Sequence, residues 1–259
     1  MSTFLFDQII FGPVRSRRLG VSLGVNLMPT DSKICSFNCI YCECGWNPKK
    51  RGQKSNLPTR KMVKQKMEEK LREMVANNEL PDVITFAGNG EPTLHPEFEG
   101  IIDDTIELRN LLAPKARIAV LSNSSMLHKP SVVKALLKID DNILKLDSAF
   151  EETVKLIDCP VGRFNLAEVV ENLKAFQGKL VIQTLFVRGN FNGQIIDNAT
   201  EREISAWLKL IEEIKPSQVM IYTIDRDTPA TGLEKIKIDE LKQIASLVEM
   251  LGIKVQVSG

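Results

Sequence analysis

The chain has 259 residues, 43% hydrophobic and 26% charged, with a formal net charge of +1. Those values are ordinary for a globular protein, and the length suits one domain over residues 1–259. The near-zero charge excludes a protein that binds polyanions through bulk charge. The lack of any run of roughly 18 apolar residues excludes a membrane-spanning helix.

Residues 1–13 carry no basic region followed by an apolar one, so no secretory signal is expected and the chain is assigned to the cytoplasm. Arg15, Arg17 and Arg18 come next, and residues 20–27 form the first candidate strand. A cysteine-bearing loop follows, then a basic run of Lys49, Lys50, Arg51, Lys54, Arg60, Lys61, Lys64 and Lys66. The bland reading of that run is a solvated loop and helix face; the sharper one is a surface for an anionic partner at the mouth of a site. Pro58 and Thr59 open a helix whose apolar face includes Val63, Met67, Leu71 and Met74. Further strands are expected over residues 82–86, 117–121, 142–146, 180–187 and 218–223, with 253–257 a seventh candidate. Helical faces lie between them: Leu166, Val169, Val170, Leu173 and Phe176, then Ile204, Trp207, Leu208, Ile211 and Ile214. Leu241, Ile244, Ala245, Val248 and Leu251 repeat the spacing.

Strands separated by helices imply right-handed βαβ units and a parallel sheet. Six or seven units are too few for a closed eight-fold barrel. The expected fold is therefore α/β, a partial (β/α)6 TIM-like barrel, with a doubly wound sheet as the alternative. Both put function at the carboxyl ends of the strands. Polar residues gather there: Asn89, Gly90 and Glu91, then Ser122 and Asn123, then Asp147 and Ser148, then Arg188, then Asp225 and Arg226.

Of five cysteines, four fall between positions 35 and 44. Neighbours that close cannot staple distant segments, so a metal is a better reading than disulfides. Structural zinc sites use two separated ligand pairs, and here Cys35, Cys39, Cys42 and Cys44 share one loop with only Cys159 elsewhere. One-loop spacing suits an iron–sulfur cluster. Three thiolates on a four-iron cube leave one iron open, the counterpart of a catalytic metal's vacant position. A redox pair of Cys39 and Cys42 would leave Cys35 unexplained. His95 and His128 lie near prolines at helix starts and lack metal-ligand partners, so both read as structural. Cys159 reads as a small apolar residue. Cys44 is either a spectator or a thiol facing substrate.

The pattern Cys-x3-Cys-x-aromatic-Cys, formed by Cys35, Cys39, Tyr41 and Cys42, resembles the signature of the radical S-adenosylmethionine (SAM) superfamily. Gly88, Asn89, Gly90 and Glu91 are similar to the Gly-Gly-Glu motif that ends the second strand there, although Asn89 interrupts the glycine pair and Cys44 is extra. The opening, with Gly12, Pro13, Arg15, Gly20, Ser22 and Asn26, is similar to the iron–sulfur oxidoreductases related to tRNA wyosine-base (4-demethylwyosine) synthases. The resemblance covers roughly residues 10–257. It implies a [4Fe–4S] cluster on Cys35, Cys39 and Cys42 that chelates and reductively cleaves SAM. The products are methionine and a 5′-deoxyadenosyl radical, which abstracts hydrogen from a substrate. It also implies a reductant such as flavodoxin or ferredoxin, and makes tRNA a candidate substrate.

For individual residues, the resemblance puts Tyr41 against adenine and the carbonyls at residues 88–90 on the SAM ammonium group. Gly88 and Gly90 would let the backbone come close to that ligand, with Asn89 between them. Glu91 lies in the pocket or acts as a helix N-terminal charge. Ser122 and Asn123 are assigned to the carboxylate or ribose, Asp147 and Ser148 to the ribose hydroxyls, and Tyr222 to the cofactor pocket. Turn formation is the alternative for these serines and asparagines. An iron–sulfur electron carrier without SAM chemistry and a zinc-stabilised binding module are the competing functions.

Overall fold

The computed structural model describes residues 4–16, 20–48 and 56–259. The chain opens with strands β1 (Ile10–Ser16) and β2 (Gly20–Val25), then helix α1 (Arg60–Ala76) and β3 (Val83–Phe86). A short 3₁₀ turn at Pro92–Leu94 leads into α2 (Phe98–Leu112), followed by β4 (Arg117–Ser122), α3 (Pro130–Leu136) and β5 (Asp141–Lys145). Two helices, α4 (Glu151–Ile157) and α5 (Leu166–Lys174), precede β6 (Val181–Leu185). A hairpin of β7 (Val187–Phe191) and β8 (Gln194–Asp197) comes next, then α6 (Glu201–Ile214), β9 (Gln218–Tyr222), β10 (Leu233–Lys235), α7 (Ile238–Glu249) and β11 (Lys254–Ser258).

The main sheet runs β1-β2-β3-β4-β5-β6-β9-β11. Each neighbouring pair is parallel except β1 with β2, which forms an antiparallel edge. Strand pleating sorts the side chains into two layers. Ile84, Phe86, Ile118, Val120, Leu144, Ile182, Val219 and Ile221 face outward into a core built with the helices. Val83, Ala119, Ile143, Val181 and Met220 face inward and pack on one another, without any helical residue among the described ones. Helices on one face only are the mark of a barrel wall, not of a doubly wound sheet. β1 and β11 stand at opposite ends of the sheet, so the barrel is partial and open.

Local chemistry explains the framing. Thr59 caps α1 by accepting a hydrogen bond from Met62 N–H at 3.3 Å, and Val63, Met67, Leu71 and Met74 are the face that helix buries. No helix among the described residues is long and apolar enough to cross a membrane. The hairpin turns at Asn192 and Gly193, both at positive φ (52° and 78°), the geometry a two-residue hairpin requires. It pairs with β10 to make a second sheet, β10-β7-β8, which was not anticipated and rests against the cysteine loop through Val187, Ile196 and Leu233.

Trp207 fastens α6 to the barrel. Its indole N–H reaches Leu146 O at 3.2 Å and Thr184 Oγ1 at 3.1 Å, and its ring meets Phe186 edge-on. Trp207→Ala is expected to lower stability by about 3–5 kcal/mol in urea unfolding, since it opens a cavity and takes one hydrogen bond from each of two buried oxygens.

Candidate metal centre

With β2 to β11 parallel, the loop between β2 and α1 is delivered to the carboxyl ends of the strands. It is held there by backbone bonds on two sides. Toward β3, Ile34 N–H donates to Asn89 O at 2.9 Å, and Glu91 N–H donates to Ile34 O at 3.1 Å. Toward the segment after α4, Asn38 N–H reaches Asp158 O (3.0 Å), Ile40 N–H reaches Ile157 O (2.9 Å), and Val161 N–H reaches Ser36 O (2.7 Å). Asn47 braces the loop from within. Its amide oxygen accepts from Cys35 N–H at 3.0 Å, and its NH₂ donates to Cys35 O at 2.8 Å.

The thiols differ in their surroundings. Cys35 Sγ accepts from Phe37 N–H and from the Asn123 side chain, both at 3.4 Å. Burial, and then the Glu91 carboxylate, push the Cys35 thiol up to about 11. Cys39 Sγ donates to Asp158 Oδ1 at 3.1 Å, and burial together with that carboxylate raises it further still. Cys42 is lowered, first because Cys44 donates to its sulfur and then because the Lys33 ammonium lies beside it. Cys44 also reaches Gly88 O at 3.4 Å.

Lys33, which the sequence reading passed over, is 3% exposed and donates to Gly45 O at 2.7 Å. Burial alone would lower its pKa, yet the charges of Cys42, Cys35 and Cys39 raise it. Three soft sulfurs, N–H donors aimed at Cys35 and a buried ammonium among the thiols suit an anionic, thiolate-held iron–sulfur group. Among the described residues no three Cys, His, Asp or Glu side chains converge as they would on a single metal ion.

The inward-facing layer next to the loop is polar. Thr85, Leu121, Lys145, Gln183 and Tyr222 occupy equivalent pleat positions, with Asn123 and Asp147 one step nearer the strand ends. Lys145 sits between Asp147 (3.0 Å) and Asp158 (3.7 Å) and also donates to the Tyr41 hydroxyl. Burial would lower Lys145, but the Asp147, Tyr222 and Asp158 charges hold it well up. Tyr41 O–H donates to Asp147 and lies 3.1 Å from Asp158 Oδ1, so its phenol is spent on this network. Asp158 is raised to about 7 by burial and then by Asp147. Asp147 also accepts from Leu185 N–H at 2.9 Å.

Several candidate residues are engaged elsewhere. Ser148 points outward, where its hydroxyl donates to Glu203 of α6 at 2.6 Å, away from any ribose position facing the loop. Ser122 donates to Glu91 at 2.9 Å. Glu91 also accepts from Asn123 N–H (2.7 Å) and from Thr93, capping the 3₁₀ turn, so both its oxygens are filled. The Asn89 side chain is buried and hydrogen-bonds both backbone groups of Phe6 and Pro29 O, each at 2.8 Å. Gly90 is needed for a different reason from ligand approach. At φ 143°, a Cβ there would meet Ile34 O at 1.8 Å, and one on Gly88 would meet the Asn26 side chain at 2.5 Å. Both glycines make room for neighbouring protein, Ile34 in one case and Asn26 in the other. Cys159 lies against the cysteine loop, while His95 bonds Pro58 O and Glu97 N–H as a structural residue. Arg60 and Lys64 pair with Asp104 and Glu107 on α2, in the outer layer, so this end of the basic run follows the bland reading. Lys49, Lys50, Arg51, Lys54, Arg17 and Arg18 lie outside the described residues.

Residues 30–201 match the family model for the Radical SAM superfamily. A Brachyspira hyodysenteriae protein named GTPase Obg is 30% identical over 244 residues, 93% of this chain but 33% of its own length. A UPF0026 protein of Helicobacter pylori strain 26695 is 32% identical over 256 residues, 94% of this chain and 74% of its own. Among solved structures, a radical SAM methyltransferase from Sphaerobacter thermophilus has a TM-score of 0.65 at 12% identity, covering 92% of this chain and 65% of that one. Streptococcus suis SuiB bound to S-adenosylmethionine scores 0.63 at 16% identity, covering 91% and 50%. Archaeal TYW1 scores 0.55 at 14% identity, covering 88% and 71%. At these identities the likeness is one of fold.

Gly90→Ala is expected to cost at least about 2 kcal/mol in urea unfolding, because a side chain there strains φ and pushes the Ile34 backbone aside. A loss below about 0.5 kcal/mol would mean that the loop does not depend on this contact.

Proposed function

Because the chain belongs to the radical SAM superfamily and to the UPF0026 proteins, we propose that Cys35, Cys39 and Cys42 hold a [4Fe–4S] cluster with which it cleaves SAM reductively. Members of the superfamily use that cluster and SAM, and need an outside reductant, for which flavodoxin or ferredoxin is our choice. When bound, the cluster supplies one electron to the SAM sulfonium, and the resulting 5′-deoxyadenosyl radical removes hydrogen from the substrate. The observation that carries the reading is the clamped cysteine loop. Its thiols lie over the open end of a parallel barrel, beside a buried ammonium that has no carboxylate partner among the described residues.

The protein's own work is orientation. Phe37 N–H and Asn123 direct the Cys35 sulfur, Asp158 accepts a hydrogen bond from the Cys39 thiol, and Ser36 and Ser125, joined at 2.6 Å, tie the loop to the end of β4. Asn123, Gln183 and Tyr222 point inward beneath the loop and are the side chains we assign to SAM or substrate. Tyr41 contributes through its ring and backbone, since its hydroxyl is engaged. We read residues 1–259 as one domain, supported by a core that runs from Ile10 to Val248, and as a cytoplasmic one.

Anaerobic reconstitution should give about four irons per chain and, with dithionite and SAM, 5′-deoxyadenosine. The triple change of Cys35, Cys39 and Cys42 to Ala should remove the iron, whereas Cys44→Ala should keep it. Full iron in the triple variant would sink the assignment, and a bound cluster that never yields 5′-deoxyadenosine would favour the electron carrier.

A tRNA substrate is the finer reading, carried by the resemblance to the wyosine-base synthases and by the basic run after the loop. Phosphate contacts there require that tRNA binding fall steeply with salt. If bulk tRNA neither binds at low salt nor alters SAM turnover, the substrate is a small molecule or a protein.

A further inference from the structure

Among the described residues, partly buried cations come with carboxylates. Lys145 has Asp147 and Asp158, Arg188 has Asp197 and Glu240, and Arg109 has Asp140. Lys33 is the exception among the described residues. It is more buried than any of these, and its one oxygen partner is the carbonyl of Gly45. An ammonium has three protons to place, and a single neutral carbonyl satisfies one of them. The groups that raise its pKa against burial are sulfurs, Cys42 first and then Cys35 and Cys39. Two acids close to the cysteine loop are already engaged. Glu91 is saturated by Thr93, Ser122 and Asn123, and Glu43 is paired with Arg226 on the outside of the loop.

We propose that Lys33 is the fixed counter-charge of the cysteine loop, a positioning residue that holds negative charge on Cys35, Cys39 and Cys42 and so raises the reduction potential of the cluster they carry. The inference rests on the cluster reading above and adds to it a residue outside the cysteine motif. A positive charge fixed beside a redox group favours whichever state is more negative, and in a dry site it is little screened. Cluster potentials respond to net charge and to hydrogen bonds at the sulfurs. The same ammonium is a burden on the protein without iron, because its burial costs solvation that no carboxylate among the described residues offsets.

The two consequences have opposite signs, and that separates the proposal from a purely mechanical role for the Gly45 bond. In Lys33→Met the iron-free protein should melt no lower than wild type. The loaded protein should release iron faster to a chelator. Its cluster should also show at least a tenfold lower ratio of reduced to oxidised form at a fixed applied potential, a shift of about 59 mV for one electron. Lys33→Arg keeps the charge and should recover most of both losses. The potential is read by a redox titration followed by electron paramagnetic resonance, and iron by chelator competition. An unchanged potential in fully loaded Lys33→Met overturns the proposal. So does a lowered melting temperature of the iron-free Lys33→Met protein that Lys33→Arg does not restore. If Lys33→Met cannot be loaded, iron retention in Lys33→Arg with a normal iron-free melt supports it. A wild-type chain that binds no iron at all instead removes the cluster reading itself.

Discussion

At the end of β3 the Gly90 backbone lies against Ile34 so closely that no side chain fits between them, and two N–H···O bonds flank the contact. Everything said of the site depends on this approach. The cysteine loop has no secondary structure of its own to fix it. It takes its place from pairing with the turn after β3 on one side and with residues 157–161 on the other. Backbone pairing fixes direction as well as position, because a peptide that exchanges both its groups cannot rotate. Cys35 follows directly after Ile34, so the geometry of its sulfur is inherited from the strand end. Asn89 and Glu91 serve the same joint. One ties the turn to the N-terminal segment and the other ties it to the end of β4, each with its polar atoms filled. A turn that resembles a ligand-binding motif is therefore also the bearing on which the cysteine loop sits.

Much of this could be read from the residues. Seven apolar runs fell within a few residues of parallel strands, and the α1 face of Val63, Met67, Leu71 and Met74 is the one buried. Apolar runs suffice for the inner strands because each is largely buried on both faces, whereas β11, at the open edge, is only partly covered. The hairpin β7–β8 carried a signal in Asn192 and Gly193, but its strands are short, half exposed and lack alternation. Helices α3 and α4 have seven residues each, too few turns for a period to declare itself. β1 pairs antiparallel with β2, and its Gly12 and Pro13 interrupt the strand pattern.

The site was legible at the level of segments and less so at that of side chains, and the pleat explains the difference. Successive residues on a strand point to opposite faces. Ser122 and Asn123 are neighbours in sequence, yet one turns to Glu91 while the other reaches Cys35 and Ser36. Asp147 and Ser148 divide in the same way, one facing Tyr41 and Lys145, the other Glu203 on α6. A list of polar residues at strand ends mixes two populations, and only the register separates them. Lys33 and Asp158 escaped for another reason. Neither belongs to a motif or a strand end, and a lysine or aspartate in a loop reads as solvated until burial is known.

Two buried lysines now frame the loop, and comparing them shows what the fold is arranged to tolerate. Lys145 stands in a closed network, where its charge is met by Asp147 and Asp158 and its neighbour Tyr41 completes the hydrogen bonds. That network meets the lysine's charge within the protein, which suits a rigid wall under the cysteines. Lys33 meets a carbonyl and no carboxylate among the described residues. A chain that can build the first arrangement at the same loop is under no geometric compulsion to leave the second incomplete. The incomplete side is the one that faces Cys42, the thiol whose proton is most easily lost. On the proposed cluster reading, charge is stored where thiolates form and neutralised where the barrel must stay still.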